Sequence, residues 1–545
     1  MRADLSFKPI LRTRPIIRIT LLLVCVAMVL SQLSGCAKPE PKTVATLDPV
    51  EIRTLSFIGR LDTRSEDRCI SPDGKYLLAA VLGEKTDRMV AIPLGSDDAL
   101  SPDKASSSKV SGDEASPDEV STGEVLSDAI TLYEADTSWT HHNLVQWFPL
   151  GWTLDSECVF AIHGWQAHGP HKGKRGTAIY TADIESGNAT LISYVDVPEQ
   201  GQIIEEAVLA EDGKVYVRIS GQFLEYDLES RTHRLVRDDL PSYYGISVVT
   251  MSPKGDQIVY SVYGEDKSGV YIFDVASGAE KPLVETGKSL SFYPSWSPDG
   301  EYISMYTVHR VDDASASGVA RYDMVYGEDG PRPSAQEITI VDPQGTVVRS
   351  ISMEGQYLSH AYWLADGGSL VFVSGPVAFG KWGEVLSAEY EAVWIADVAG
   401  DSAPVKVADL ASIEAETGKL TPFVYPVASL PEGAGALLTV VGAKGPSVWL
   451  VSPAAPPSKV ADGQWQTSRL TPVYIDSVVG IISDGIESSV YLVGHNGATR
   501  LGDATPAMTS IVAYSDDLLV TSSYDFGENR TEANVYRMVS EKTVE

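Results

Sequence analysis

Five of the nine histidines in this 545-residue chain are His141, His142, His163, His168 and His171. The last three fall in Ile162-His163-Gly164-Trp165-Gln166-Ala167-His168-Gly169-Pro170-His171, which reads as a loop between two strands. Imidazoles are good ligands for zinc, copper or nickel, and one loop can bring three together, so His163, His168 and His171 form a candidate metal site. Their spacing matches no established ligand pattern, and solvated loop histidines are the plainer reading. Lys172, Lys174 and Arg175 follow directly, a basic patch suited to an anionic glycan or a peptide carboxylate. Trp165 beside the patch, and Phe379 and Trp382 in a Gly-rich stretch at 376–391, are candidate anchors for a ligand.

The sequence contains no Gly-x-Ser-x-Gly elbow, His-Glu-x-x-His pair, phosphate-binding loop or Cys-x-x-Cys. No catalysis and no cofactor are therefore expected. The rival expectation is an enzyme, a hydrolase or lyase with a metal or acidic side chains at the centre of the fold.

The formal net charge is −32, with 74 acidic against 42 basic residues. So acidic a surface repels nucleic acid and anionic headgroups, which excludes a nucleic-acid binder. Four cysteines are present. Cys69 and Cys158 each lie beside the turn of a neighbouring repeat, and either a disulfide or two buried thiols would fit them.

These residues are positioned by a repeat. Trp296-Ser297-Pro298-Asp299-Gly300 leads into Tyr302, Ile303 and Met305, and Ser71-Pro72-Asp73-Gly74 leads into Tyr76, Leu77 and Leu78. Met251-Ser252-Pro253-Lys254-Gly255 is a third copy, with weaker ones at Ala210-Glu211-Asp212-Gly213, Thr153-Leu154-Asp155 and Ala365-Asp366-Gly367. Pro presets one backbone angle, Asp bonds back to the chain and Gly accepts a positive φ, so each copy is a hairpin turn. A second strand follows, as in Val270-Tyr271-Ile272-Phe273-Asp274 or Val393-Trp394-Ile395-Ala396-Asp397. Such turn-strand units, recurring every 40 to 45 residues or so, predict an all-β, single β-propeller of four-stranded blades. Eight blades fit the count best, with seven or nine also open. The strand pair Leu518–Val520 and Val535–Met538 is either a further blade or closes the ring against the first strands. Residues 96–128 read as a disordered acidic, Ser-rich insertion, 311–335 as a polar loop and 376–391 as an aromatic loop.

The Trp296-Ser-Pro-Asp-Gly and Val270-Tyr-Ile-Phe-Asp motifs resemble TolB-type propeller repeats, a WD40-like class that also builds the amino-terminal propellers of prolyl oligopeptidases. The resemblance spans most of 53–540, is strongest in the middle and weakens after 420. It implies a binding or scaffolding propeller without naming a ligand. Two departures matter: the α/β domain that precedes the propeller in TolB has no counterpart here, and nothing after the propeller resembles a hydrolase.

The amino terminus carries its own resemblance. Arg2, Lys8, Arg12, Arg14 and Arg18 precede the apolar Ile19–Leu30, and Leu33-Ser34-Gly35-Cys36 resembles a bacterial lipobox. It implies a signal peptide at 1–35, lipid on Cys36 and a tether at 36–52 ahead of the propeller at 53–540. Ala37 rather than Asp follows the cysteine, so the inner-membrane retention signal of some Gram-negative lipoproteins is missing. The combined expectation is a monomer held to the cell envelope by lipid alone. Loops on one face would bind a protein, a peptide or an envelope polymer.

Overall fold

The computed structural model describes residues 47–540, apart from the breaks at 63–67, 95–128, 143–144, 198–202, 241–248, 264–267, 285–288, 310–323, 334–336, 380–384, 467–476 and 526–529 and shorter ones between strands. Cys36 and the 96–128 insertion lie outside the described residues. Among those described, nine sheets follow one another, eight antiparallel ones of four strands and one enlarged to seven. The fold is a single all-β propeller of nine blades, one more than the repeat count favoured. The extra blade is the ninth. Its three carboxy-terminal strands, Met508–Tyr514, Leu518–Asp525 and Arg530–Ser540, are completed by the amino-terminal strand Leu47–Ile58. The pair seen in the sequence is thus both a blade and the closure of the ring. That amino-terminal strand begins inside the segment read as tether.

Each blade is a meander, and strand direction assigns its connections to two faces. The turns after the first and third strands lie on one face, here the turn face. The loop between the second and third strands, and the link to the next blade, lie on the other, the loop face. The Ser-Pro-Asp-Gly turns all belong to the turn face. In one of them Ser297 Oγ accepts the Tyr302 amide at 2.9 Å and donates to Asp299 Oδ1 at 2.5 Å. Asp299 Oδ1 also accepts the Glu301 amide at 3.0 Å. Gly367, in the corresponding turn of the sixth blade, has φ +67°, and a methyl group there would come within 2.5 Å of Asp299 Oδ2. The turns of the fifth and sixth blades thus abut.

Alternating side chains face opposite neighbours, as the two-residue strand period requires. In the second blade Phe160, Ile162 and Tyr180 pack toward Leu78, Met89 and Tyr133 of the first. Val159, Ala161 and Ile179 pack toward Leu209, Val215 and Val217 of the third. A fully buried aliphatic or aromatic side chain stabilises by roughly 1.5–3 kcal/mol, so these layers dominate the stability. Polar latches add to them. Arg237 on the fourth strand of the third blade pairs with Glu280 of the fourth blade. Its guanidinium also lies 5.2 Å from the ring centres of Tyr260 and Phe273.

Both loops read as irregular contain strands. Met324–Gly327 and Gly330–Pro333 form a hairpin within 311–335, and Val385–Ala388 is a strand within 376–391. The hairpin pairs with Val385–Ala388 in parallel at Val325 and Val385. Two insertions from neighbouring blades thus build one small sheet on the loop face. Neither insertion showed an alternating pattern long enough to be read as strand. Among the described residues, no helix is long and apolar enough to cross a membrane.

Candidate functional site

The histidine-rich stretch belongs to the second blade, whose strands are Gln146–Trp152, Cys158–Trp165, Arg175–Asp183 and Asn188–Asp196. His163 is not in a loop. It lies inside the second strand opposite Thr177, is 1% exposed, and its Nδ1 is 2.8 Å from Thr177 Oγ1. The alternation of Val159, Ala161 and His163 continues the strand into the stretch that read as loop.

The loop proper runs from Gln166 to Lys174 and is tightly bonded. The Gln166 amide donates to Lys174 O at 2.8 Å, and the Gly173 amide returns to Gln166 O at 2.9 Å. The fully buried Gln166 side chain then plugs the end of the blade, its Nε2 lying 3.2 Å from the carbonyls of Ile162, Gly164 and Gly176. Three weak bonds from one amide hold the loop base to both strands that carry it.

His168 and His171 take separate partners. His168 Nε2 lies 2.6 Å from Glu134 O on the first blade, and because a carbonyl only accepts, this nitrogen carries the proton. Its ring meets Tyr133 edge-on with centroids 5.3 Å apart. His171 lies flat on Tyr194, centroids 3.8 Å apart and planes within 13°. Burial first, and the neighbouring Asp196 next, raise the Tyr194 hydroxyl well above the ordinary tyrosine range, so it stays protonated. Gly176 makes room for that ring, since a methyl group there would come within 2.5 Å of Tyr194 Cζ. The three histidines therefore do not converge. Among the described residues no three His, Cys, Asp or Glu side chains are grouped to hold a metal.

Lys172 and Lys174 are exposed, and Arg175, half-buried, stands in register with half-buried Trp165 across the two strands. The braced loop thus carries two exposed lysines, and its base carries Trp165 and Arg175, residue types that can hold a carboxylate, phosphate or sulfate. The side chain of Phe379 and all of Trp382 lie outside the described residues. Cys69 and Cys158 are both fully buried and are not joined to each other by a disulfide. Cys158 Sγ lies 3.1 Å from Ala182 O, and burial pushes its thiol up to about 12. Cys69 and Cys158 belong to different core layers, which is why turns adjacent in sequence do not make them a pair.

Sequence reasoning missed the partners from the first blade and from the fourth strand: Tyr133, Glu134 and Tyr194. It also missed Arg218, whose 4%-exposed side chain pairs with Glu205 and lies 3.7 Å from Glu206 in the third blade. A lone arginine amid the apolar Val215, Val217 and Ile219, opposite two adjacent glutamates, was the available signal.

No protein-family model matches the chain, and no curated protein does. Solved structures share the propeller fold at low similarity. Dipeptidyl peptidase 4 of Porphyromonas gingivalis is 10% identical with a TM-score of 0.37, the match covering 85% of this chain and 57% of that one. Acylaminoacyl peptidase of Pyrococcus horikoshii is 11% identical with a TM-score of 0.33, covering 67% and 47%, so this chain spans about half its length. TolB of Acinetobacter baumannii is 12% identical with a TM-score of 0.27, covering 66% and 82%. Likenesses of this strength carry no argument about activity.

Proposed function

We propose that this protein is a lipid-anchored, extracytoplasmic propeller that binds an anionic envelope polymer or acidic peptide and performs no chemistry on it. The observation that carries the reading is the braced 166–174 loop with Lys172 and Lys174 exposed on it and Trp165 and Arg175 at its base. A strongly acidic protein gains nothing from placing cations there for solubility, whereas an anionic ligand gains a local site in an otherwise repulsive field. The lipobox-like Leu33-Ser34-Gly35-Cys36 supports attachment to the envelope through Cys36, which raises the effective concentration for a ligand in that compartment. The TolB-like repeats fit a binding role of this kind. No cofactor is needed, and the protein acts as a monomer.

The test is co-sedimentation of the soluble chain from residue 37 onward with isolated cell-wall sacculi, beside titration with polyglutamate. Binding that weakens with salt, and that falls about tenfold in the Lys172→Glu/Lys174→Glu variant, is expected; tenfold corresponds to about 1.4 kcal/mol. Unchanged binding in the charge-reversed protein would dismiss the patch.

A further inference from the structure

The direction of the first strand decides which face of the ring meets the membrane. Leu47 pairs with Ser540 and Ile58 pairs with Arg530, so this strand is antiparallel to the third strand of the ninth blade and fills the fourth position. A fourth strand starts on the turn face and ends on the loop face, where the chain passes on to Arg60–Asp62 of the first blade. The chain therefore enters the propeller on the turn face, and Ser540 lies at the same end of the blade.

Resting on the proposed lipid at Cys36, we infer that the turn face is turned toward the anchoring bilayer and that the loop face is held away from it. The reason is length. Residues 37–46 separate the anchor from Leu47, and whatever their conformation, ten residues span at most about 35 Å. The twelve-residue strand Leu47–Ile58 rises about 3.3 Å per residue, some 36 Å from one face to the other. Laying the loop face on the anchoring membrane would use the whole reach of the tether merely to run back along that strand. Keeping the turn face near the bilayer requires no such stretch. The 166–174 loop then faces a ligand that comes from across the compartment. The anchoring bilayer itself is not the ligand.

The test uses the full-length, lipidated protein in phosphatidylethanolamine–phosphatidylglycerol vesicles carrying a headgroup-linked energy acceptor. One donor dye is placed at Glu185→Cys on the turn face, or at Lys172→Cys on the loop face of the same blade. The turn-face donor should lose most of its emission and the loop-face donor keep most of it. Inserting twenty residues after Pro41 should narrow that difference. Fatty-acid labelling of the same preparations separates two failures. Label on Cys36 with equal transfer, or with greater transfer from residue 172, would overturn the orientation and leave the anchor standing; no label on Cys36 would overturn both.

Discussion

His171 lies flat on Tyr194 with ring centroids 3.8 Å apart, and this stack fixes the far side of the basic loop to the outermost strand of the second blade. Aromatic pairs of this kind contribute about 0.5–1.5 kcal/mol beyond the area they bury. Tyr194→Phe should keep the stack and the stability. Tyr194→Ala should lower the unfolding free energy by about 2 kcal/mol, with faster amide exchange confined to 166–174. Exchange unchanged in the alanine variant would show that the stack does not brace the loop.

The joints of the turn face are a second point of leverage. Gly367 combines φ +67° with an approach to Asp299 that leaves no room for a methyl group. Gly367→Ala should therefore destabilise by about 1–2 kcal/mol from the backbone alone, and more where Asp299 must move. Thermal unfolding measures it, and a loss no larger than that of an exposed turn glycine would deny the contact any role.

Acid should weaken the third blade through Glu225. Arg234 Nε lies 3.0 Å from Oε1 and Nη2 2.8 Å from Oε2, and this hydrogen bonding from Arg234 lowers the Glu225 pKa against the opposing effect of burial. A depressed folded value means that the stabilisation is complete above the unfolded pKa of about 4.3 and is lost as pH falls through the folded one. Urea unfolding from pH 7 down to pH 3 or so should show a decline that is shallower in Glu225→Gln. Parallel curves would remove Glu225 from the acid response.

The thiols offer a chemical check. Burial holds Cys158 protonated far above neutral pH, and Cys69 is equally enclosed. In the soluble chain from residue 37, neither thiol should react with a maleimide at pH 8 without denaturant, and both should react in denaturant without reductant. Silence in denaturant until a reductant is added would restore the disulfide.

The turns and the strands beside them were legible because their chemistry is local: Pro298, Asp299 and Gly300 specify a hairpin wherever they occur. Blade number was less so, because the ninth blade borrows Leu47–Ile58 from the opposite end of the chain, a pairing no local pattern announces. The basic residues were readable for the same local reason, since Lys172, Lys174 and Arg175 lie within four positions of one another. The partners of the histidines were not. Glu134 and Tyr194 approach from another blade and another strand, and His163 reads as loop only until Thr177 is seen opposite it.

Recognition through the loop face is tested most directly by photocrosslinking in cells that make the lipidated protein, with a benzoylphenylalanine at Lys174 or, on the opposite face, at Glu185. The account predicts a discrete adduct from position 174 that is competed by added polyglutamate, and none from position 185. Adducts from 185 alone, or equal adducts from both, would contradict it.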